Sequence, residues 1–167
     1  MIKLTEQHFE DCNKFAKLMV ETDTIYNRFG YSKEDRIKKL AFGKLGEVAF
    51  YEYLKSGGIK TDYRAMFSLL GADNYDFIME NGNFTIDVKT IEKNHKYILQ
   101  PKNQTLKDYI VGVQISGNMA KILGFINRID FVKFSDDILS KKMPSPCFNC
   151  KIEQLKNPTI ILNNWYF

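Results

Sequence analysis

The stretch Glu80-Asn81-Gly82-Asn83, set between the apolar runs Phe77-Ile78-Met79 and Phe84-Thr85-Ile86-Asp87-Val88, constrains the fold more than any other feature of the chain. Asn-Gly adopts positive φ readily and closes hairpins whose twist matches that of strands. The flanking segments, Tyr75 to Met79 and Phe84 to Lys89, are therefore predicted to be antiparallel neighbours. Side chains alternate along a strand, which turns Phe84, Ile86 and Val88 one way and Thr85, Asp87 and Lys89 the other. Asp76 opens the first strand, so the hairpin folds it back beside Asp87, close enough for one cation to sit between them.

The segments around this hairpin complete an α/β pattern. Thr5 to about Val20 places Phe9, Cys12, Phe15, Ala16 and Met19 at helical spacing behind Thr5 as N-cap, which predicts a packing helix. A second helix is expected from the cap Ser32, with Glu34 and Asp35 complementing its dipole, to Gly57-Gly58. Ile37, Leu40, Ala41, Leu45 and Val48 form one apolar stripe of it, and Gly43, Glu47, Phe50 and Leu54 share a second face. A helical glycine costs about 1 kcal/mol. Gly43 and Gly46 beside Glu47 therefore suggest a carboxylate brought close to another backbone. Further strands are expected at Ile59 to Tyr63, Tyr109 to Gln114 and Lys121 to Ile126. The near-continuous apolar run of Tyr109 to Gln114 suits a central strand. Pro101 with Lys102 to Asp108 is expected to form a short crossover helix before it. The fold expected is a central mixed sheet of about four to five strands flanked by helices. A short helix around Ile129 to Leu139, a loop at Pro144 and Pro146 and an apolar segment Thr159 to Leu162 follow. No repeat or low-complexity linker interrupts the chain, so 167 residues read as a single domain.

Composition and charge narrow the function classes. With 44% apolar and 14% aromatic residues the chain can bury a core, which excludes intrinsic disorder. The formal charge of +4 is too small to identify a polyanion partner by itself. Its distribution is uneven, because Lys89, Lys93, Lys96, Lys102 and Lys107 face a single acid, Glu92, within one stretch. Such a run can be merely a solvated face, but here it begins at Lys89. The opening residues MIKLTEQHFEDCNKF contain no apolar h-region, and no window reaches the length of a membrane span, so a cytoplasmic protein without a membrane partner is expected. The richness in Lys, Asn and Ile suggests an AT-rich bacterial or phage genome. Three cysteines form no disulfide framework. Cys147 and Cys150 make a CxxC without two further ligands at zinc spacing, and they read as ordinary thiols in a loop.

Asp76, Asp87 and Glu47 are the acids this topology can converge. Carboxylates with a main-chain carbonyl and water make the oxygen shell that magnesium prefers. A cation there polarises a phosphoryl oxygen and activates water, while a lysine orients that water or stabilises developing charge. Phosphodiester hydrolysis is the reaction such a set serves. The bland alternative is a structural ion-pair cluster of Glu47, Asp76, Asp87 and Lys89, against which stands the mutual repulsion of grouped acids without a cation.

GKLGEVAFYEYL, then Asp76, then Asp87-Val88-Lys89 together resemble the PD-(D/E)XK, or restriction-endonuclease-like, nuclease superfamily over about Ser32 to Arg128. The ordered set is more specific than the common DxK alone. The resemblance implies a restriction-endonuclease-like core, a magnesium ion replaceable by manganese, metal binding by Glu47, Asp76, Asp87 and the Val88 carbonyl, and Lys89 as the motif lysine. It implies a DNA endonuclease, with Lys93, Lys96, Lys102 and Lys107 contacting phosphates and with pairing into a homodimer to cut two strands left open. Tyr75 stands where the family often has proline, and Asp73 rivals Asp76 for the same role. Gln104 and Tyr109 are one residue too far apart for the QxxxY of the exonuclease branch. RNA cleavage, or a non-catalytic nucleic-acid-binding or assembly module on the same scaffold, are the alternatives.

Overall fold

The computed structural model describes residues 1–22, 30–62, 76–79, 84–141 and 145–164. Strand β1 (Ile2–Lys3) leads into helix α1 (Glu6–Thr22), whose first turn is capped by Thr5, the His8 amide donating to its Oγ1 at 3.3 Å. Helix α2 (Lys33–Ser56) starts at Ser32, which accepts from the Asp35 amide at 3.1 Å, and stops at Gly57. Both helices lie close to their expected bounds because cap chemistry and apolar spacing agree locally.

The strands β2 (Thr61–Asp62), β3 (Phe77–Met79) and β4 (Phe84–Glu92) follow as an antiparallel meander. The Asn81-Gly82 turn lies outside the described residues, but the pairing it predicts is present, with Phe77 opposite Ile86 and Met79 opposite Phe84. Strand β5 (Tyr97–Pro101) then leads to β6 (Tyr109–Ser116), which pairs parallel with β4, and β7 (Met119–Asn127) pairs antiparallel with β6. The main sheet is mixed and six-stranded, in the order β1-β7-β6-β4-β3-β2. The expected α/β class is therefore observed, with one strand more than expected because the two-residue β1 pairs with β7 at one edge.

Past β7 come α3 (Arg128–Lys133), α4 (Asp137–Lys141), β8 (Cys147–Lys151), a 3-10 turn at Ile152–Gln154 and α5 (Thr159–Asn164). The single helix expected over Ile129 to Leu139 is two short ones, because Phe134 terminates the first and the Asn149 side chain takes the Asp136 amide between them. The expected crossover helix does not form over Pro101 to Asp108, all of which are described: the connection from β4 to β6 runs through β5, which pairs with β8. The CxxC pair lies on β8 and not in a loop, and Cys147 and Cys150 are free, buried thiols that burial pushes upward in pKa, to about 11 for Cys150.

Two apolar clusters hold the layers together. On one sheet face α1 and α2 bury Ala16, Val48, Phe50 and Leu54 against Phe77, Ile86, Val88, Val111 and Val113. Each large side chain so buried contributes about 1.5–3 kcal/mol. On the opposite face the β5–β8 pair and α3 pack Ile98, Cys150 and Phe131 over Ile110 and Ile126. Gly112 permits that second layer, because a Cβ there would lie 2.7 Å from Ile98 Cδ1. Phe84 does not join the core with Ile86 and Val88; it is 37% exposed at the start of β4 and meets Tyr109 edge-on, ring centroids 5.5 Å apart.

Candidate active site

Strand β4 carries the centre of the site. Ile86 and Val88 are buried against the helices, so the pleat turns Asp87 and Lys89 toward the opposite face. Thr90, in phase with Val88, reaches α2 and donates from Oγ1 to the Gly43 carbonyl at 3.0 Å. Gly46 makes that approach possible: a Cβ on it would fall 1.8 Å from Thr90 Oγ1 and 2.9 Å from Thr90 Cβ. The glycine at 46 thus serves a close helix-strand crossing, as its cost in a helix suggests, whereas a Cβ on Gly43 would meet nothing within 4 Å. Glu47, one residue on, is carried by the turn of α2 that makes this crossing.

Asp76 stands at the entrance of β3, at the end away from the turn that joins it to β4. Its amide continues the ladder to the Ile86 carbonyl at 2.9 Å, while its carboxylate Oδ2 accepts from the Val88 amide at 2.6 Å. Burial, then the charges of Glu47 and Asp87, hold the Asp76 carboxyl well above the usual carboxylate range; the Val88 amide and Lys89 oppose them. Glu47 and Asp87 thus both act on one carboxyl, Glu47 from the helix and Asp87 from β4. Asp73, its rival in the sequence, lies outside the described residues.

Each outer acid is held by a lysine. Lys89 Nζ is 2.8 Å from Asp87 Oδ2, and Lys44 Nζ is 2.6 Å from Glu47 Oε2. Lys44 is a site residue that pattern reading missed. Its signal was its place three residues before Glu47, between the two glycines, where a lysine shares the acid's helix face. Among the described residues no three His, Cys, Asp or Glu side chains stand together ready to hold a metal ion. The arrangement accounts for that: Glu47 approaches from the helix layer, Asp87 projects from the other face of β4, and each carboxylate is turned onto its lysine. The donor set nonetheless suits a hard cation, since every candidate ligand is an oxygen and the Asp76 carboxyl carries an electrostatic penalty that positive charge would relieve.

The basic stretch divides in two. Lys93 and Lys96 are exposed at the β4–β5 turn, where the Gln114 side chain ties down the Lys93 carbonyl at 3.2 Å. Lys102 pairs with Asp137 at 3.1 Å and lies over the Phe148 ring, 5.2 Å from its centroid, and Lys107 is half-buried before β6. Behind them Asp108 accepts from the Thr85 amide at 2.9 Å and hydroxyl at 2.8 Å, bonds that lower its pKa and tie the start of β6 to β4.

No helix among the described residues is long and apolar enough to cross a membrane. Comparison of the chain with protein-family models, with curated proteins and with solved structures finds no match.

Proposed function

We propose that this chain is a divalent-metal-dependent nuclease with a PD-(D/E)XK core, hydrolysing phosphodiester bonds of DNA. The observation that carries the reading is the setting of Asp76. Its carboxylate accepts from the Val88 amide of the DxK strand, Glu47 of the helix and Asp87 of β4 both act on it, and Lys89 pairs with Asp87 beside it. In this reading Glu47, Asp76, Asp87 and the Val88 carbonyl hold magnesium, or manganese in its place. The ion's contribution when bound is to polarise a phosphoryl oxygen and lower the pKa of a water. Lys89, two residues along the strand from Asp87, moves off that acid to orient the attacking water and stabilise charge on the phosphate. Lys93 and Lys96 would contact the flanking backbone, while Lys102 and Lys107 contribute less, the first through its pairing with Asp137 and the second through its burial.

A second reading, a nucleic-acid-binding or assembly module that does not turn over, draws on the lysines that neutralise Glu47 and Asp87 and on the crossover made by a strand instead of a helix. The two readings separate on Lys89→Ala. Under the nuclease reading the variant folds and still takes up manganese, yet nicks supercoiled plasmid slower by orders of magnitude. Plasmid nicking at the wild-type rate by that variant would refute the role given to Lys89.

A further inference from the structure

Lys44 is the buried charge that the nuclease reading leaves without a task. Only 8% of the residue is exposed, which is rare for lysine, and its ammonium sits 2.6 Å from Glu47 Oε2 with the Phe15 ring of α1 4.7 Å away. An exposed pair three residues apart on a helix contributes little, but here both side chains are largely enclosed, at 9% and 14% exposure, so neither charge is solvated independently of the other. The aromatic face of Phe15 favours the cation as well. Lys44 is therefore held by two helices, and through it α1 acts on the direction of the Glu47 carboxylate.

We infer that Lys44 is a positioning residue for Glu47: it holds one carboxylate oxygen, aims the other at Asp76, and by its charge moderates how strongly the three acids attract a cation. The inference rests on the nuclease reading and adds to it a residue outside the acid-lysine motif. It makes turnover and cation affinity move in opposite directions. Without the ammonium the acids attract a cation more strongly, yet Glu47 can turn away from the position the reaction needs.

The test compares wild type, Lys44→Met and Lys44→Arg in manganese titration calorimetry, plasmid nicking and thermal melting. Methionine keeps the buried stem and so protects the packing; arginine keeps the charge. The expected result is that Lys44→Met binds manganese more tightly, by roughly tenfold as expected for one nearby unit charge, while nicking at saturating metal falls at least about tenfold. Lys44→Arg is expected to recover most of the nicking. Lys44→Met with wild-type affinity and turnover overturns the inference. So does a fall in affinity, turnover and melting temperature together that arginine fails to restore, since that marks a packing role alone. If wild type neither binds manganese nor nicks, the nuclease reading fails and this inference with it, an outcome distinct from failure of Lys44 alone.

Discussion

Asp76 bears an electrostatic load from burial and from Glu47 and Asp87, and its behaviour follows from the sign of that load. Its folded carboxyl titrates above the unfolded value, near 3.9, so the folded chain binds that proton more tightly. The stability linked to it is full below the unfolded value and is lost as pH rises through the folded one. Asp76→Asn in chelator should therefore melt higher than wild type at neutral pH, by a few degrees, with the gain vanishing below about pH 4. Added manganese should stabilise wild type and not the variant. A variant that melts lower at every pH would show that the Val88 bond outweighs the repulsion. Asp87→Asn should weaken manganese binding with little change in the fold. The placement of Asp76, Asp87 and Lys89 on one strand pair was legible from hairpin and alternation because both are rules about such a pair, and the close crossing beside Glu47 was legible from Gly46. Lys44 was not, since its place three residues before Glu47 shows a shared face but does not tell a buried lysine from a solvated one. Asp73→Asn proving as damaging to metal uptake as Asp76→Asn would move the third acid to Asp73.

Two contacts between elements place these residues. The α2–β4 crossing depends on Gly46, and Gly46→Ala puts a methyl against both Oγ1 and Cβ of Thr90, so rotating the threonine does not remove the clash. A destabilisation of about 1–3 kcal/mol is expected, with manganese affinity reduced because Glu47 shifts with the helix. Unchanged melting and affinity would mean that the crossing does not set the site. The β4–β6 pairing is tied by Asp108, whose lowered pKa makes its contribution present above the usual carboxylate range and lost as pH falls through the folded value. Asp108→Ala should cost about 1–2 kcal/mol at neutral pH, less than a fully buried charged bond because the site is half-exposed, and the cost should shrink in acid. The helices and long strands were readable because caps, apolar periods and turn residues act over a few positions. Strands β1, β5 and β8 were not, because each forms only by pairing with a distant segment: β1 with β7, and β5 with β8 across a separation that includes two strands and two helices. The crossover helix expected over Pro101 to Asp108 fails at its start: Pro101 is the last residue of β5, paired with Cys147, the Lys102 amide goes to the Pro146 carbonyl, and only a turn from Pro101 to Gln104 follows, a pairing no local signal announces.

At the scale of the whole molecule Lys93 and Lys96 stand exposed just past the end of the strand that carries Asp87 and Lys89, and nuclease activity requires that this surface bind a polyanion. Binding of duplex DNA should weaken steeply with salt, and the slope of log K against log salt should fall by about 1.8 in a Lys93→Ala, Lys96→Ala double variant, about 0.9 for each phosphate no longer neutralised. Lys102→Ala should alter it less, because Asp137 already holds that ammonium. An unchanged slope in the double variant would place the nucleic acid elsewhere. The measurement that reaches the central claim most directly is cleavage of supercoiled plasmid, linear duplex, single-stranded DNA and RNA by wild type and Asp87→Ala, with magnesium, manganese or chelator. Cleavage of a DNA form that needs both metal and Asp87 is the predicted result; no cleavage of any substrate, or cleavage that survives chelator or the loss of Asp87, would contradict it.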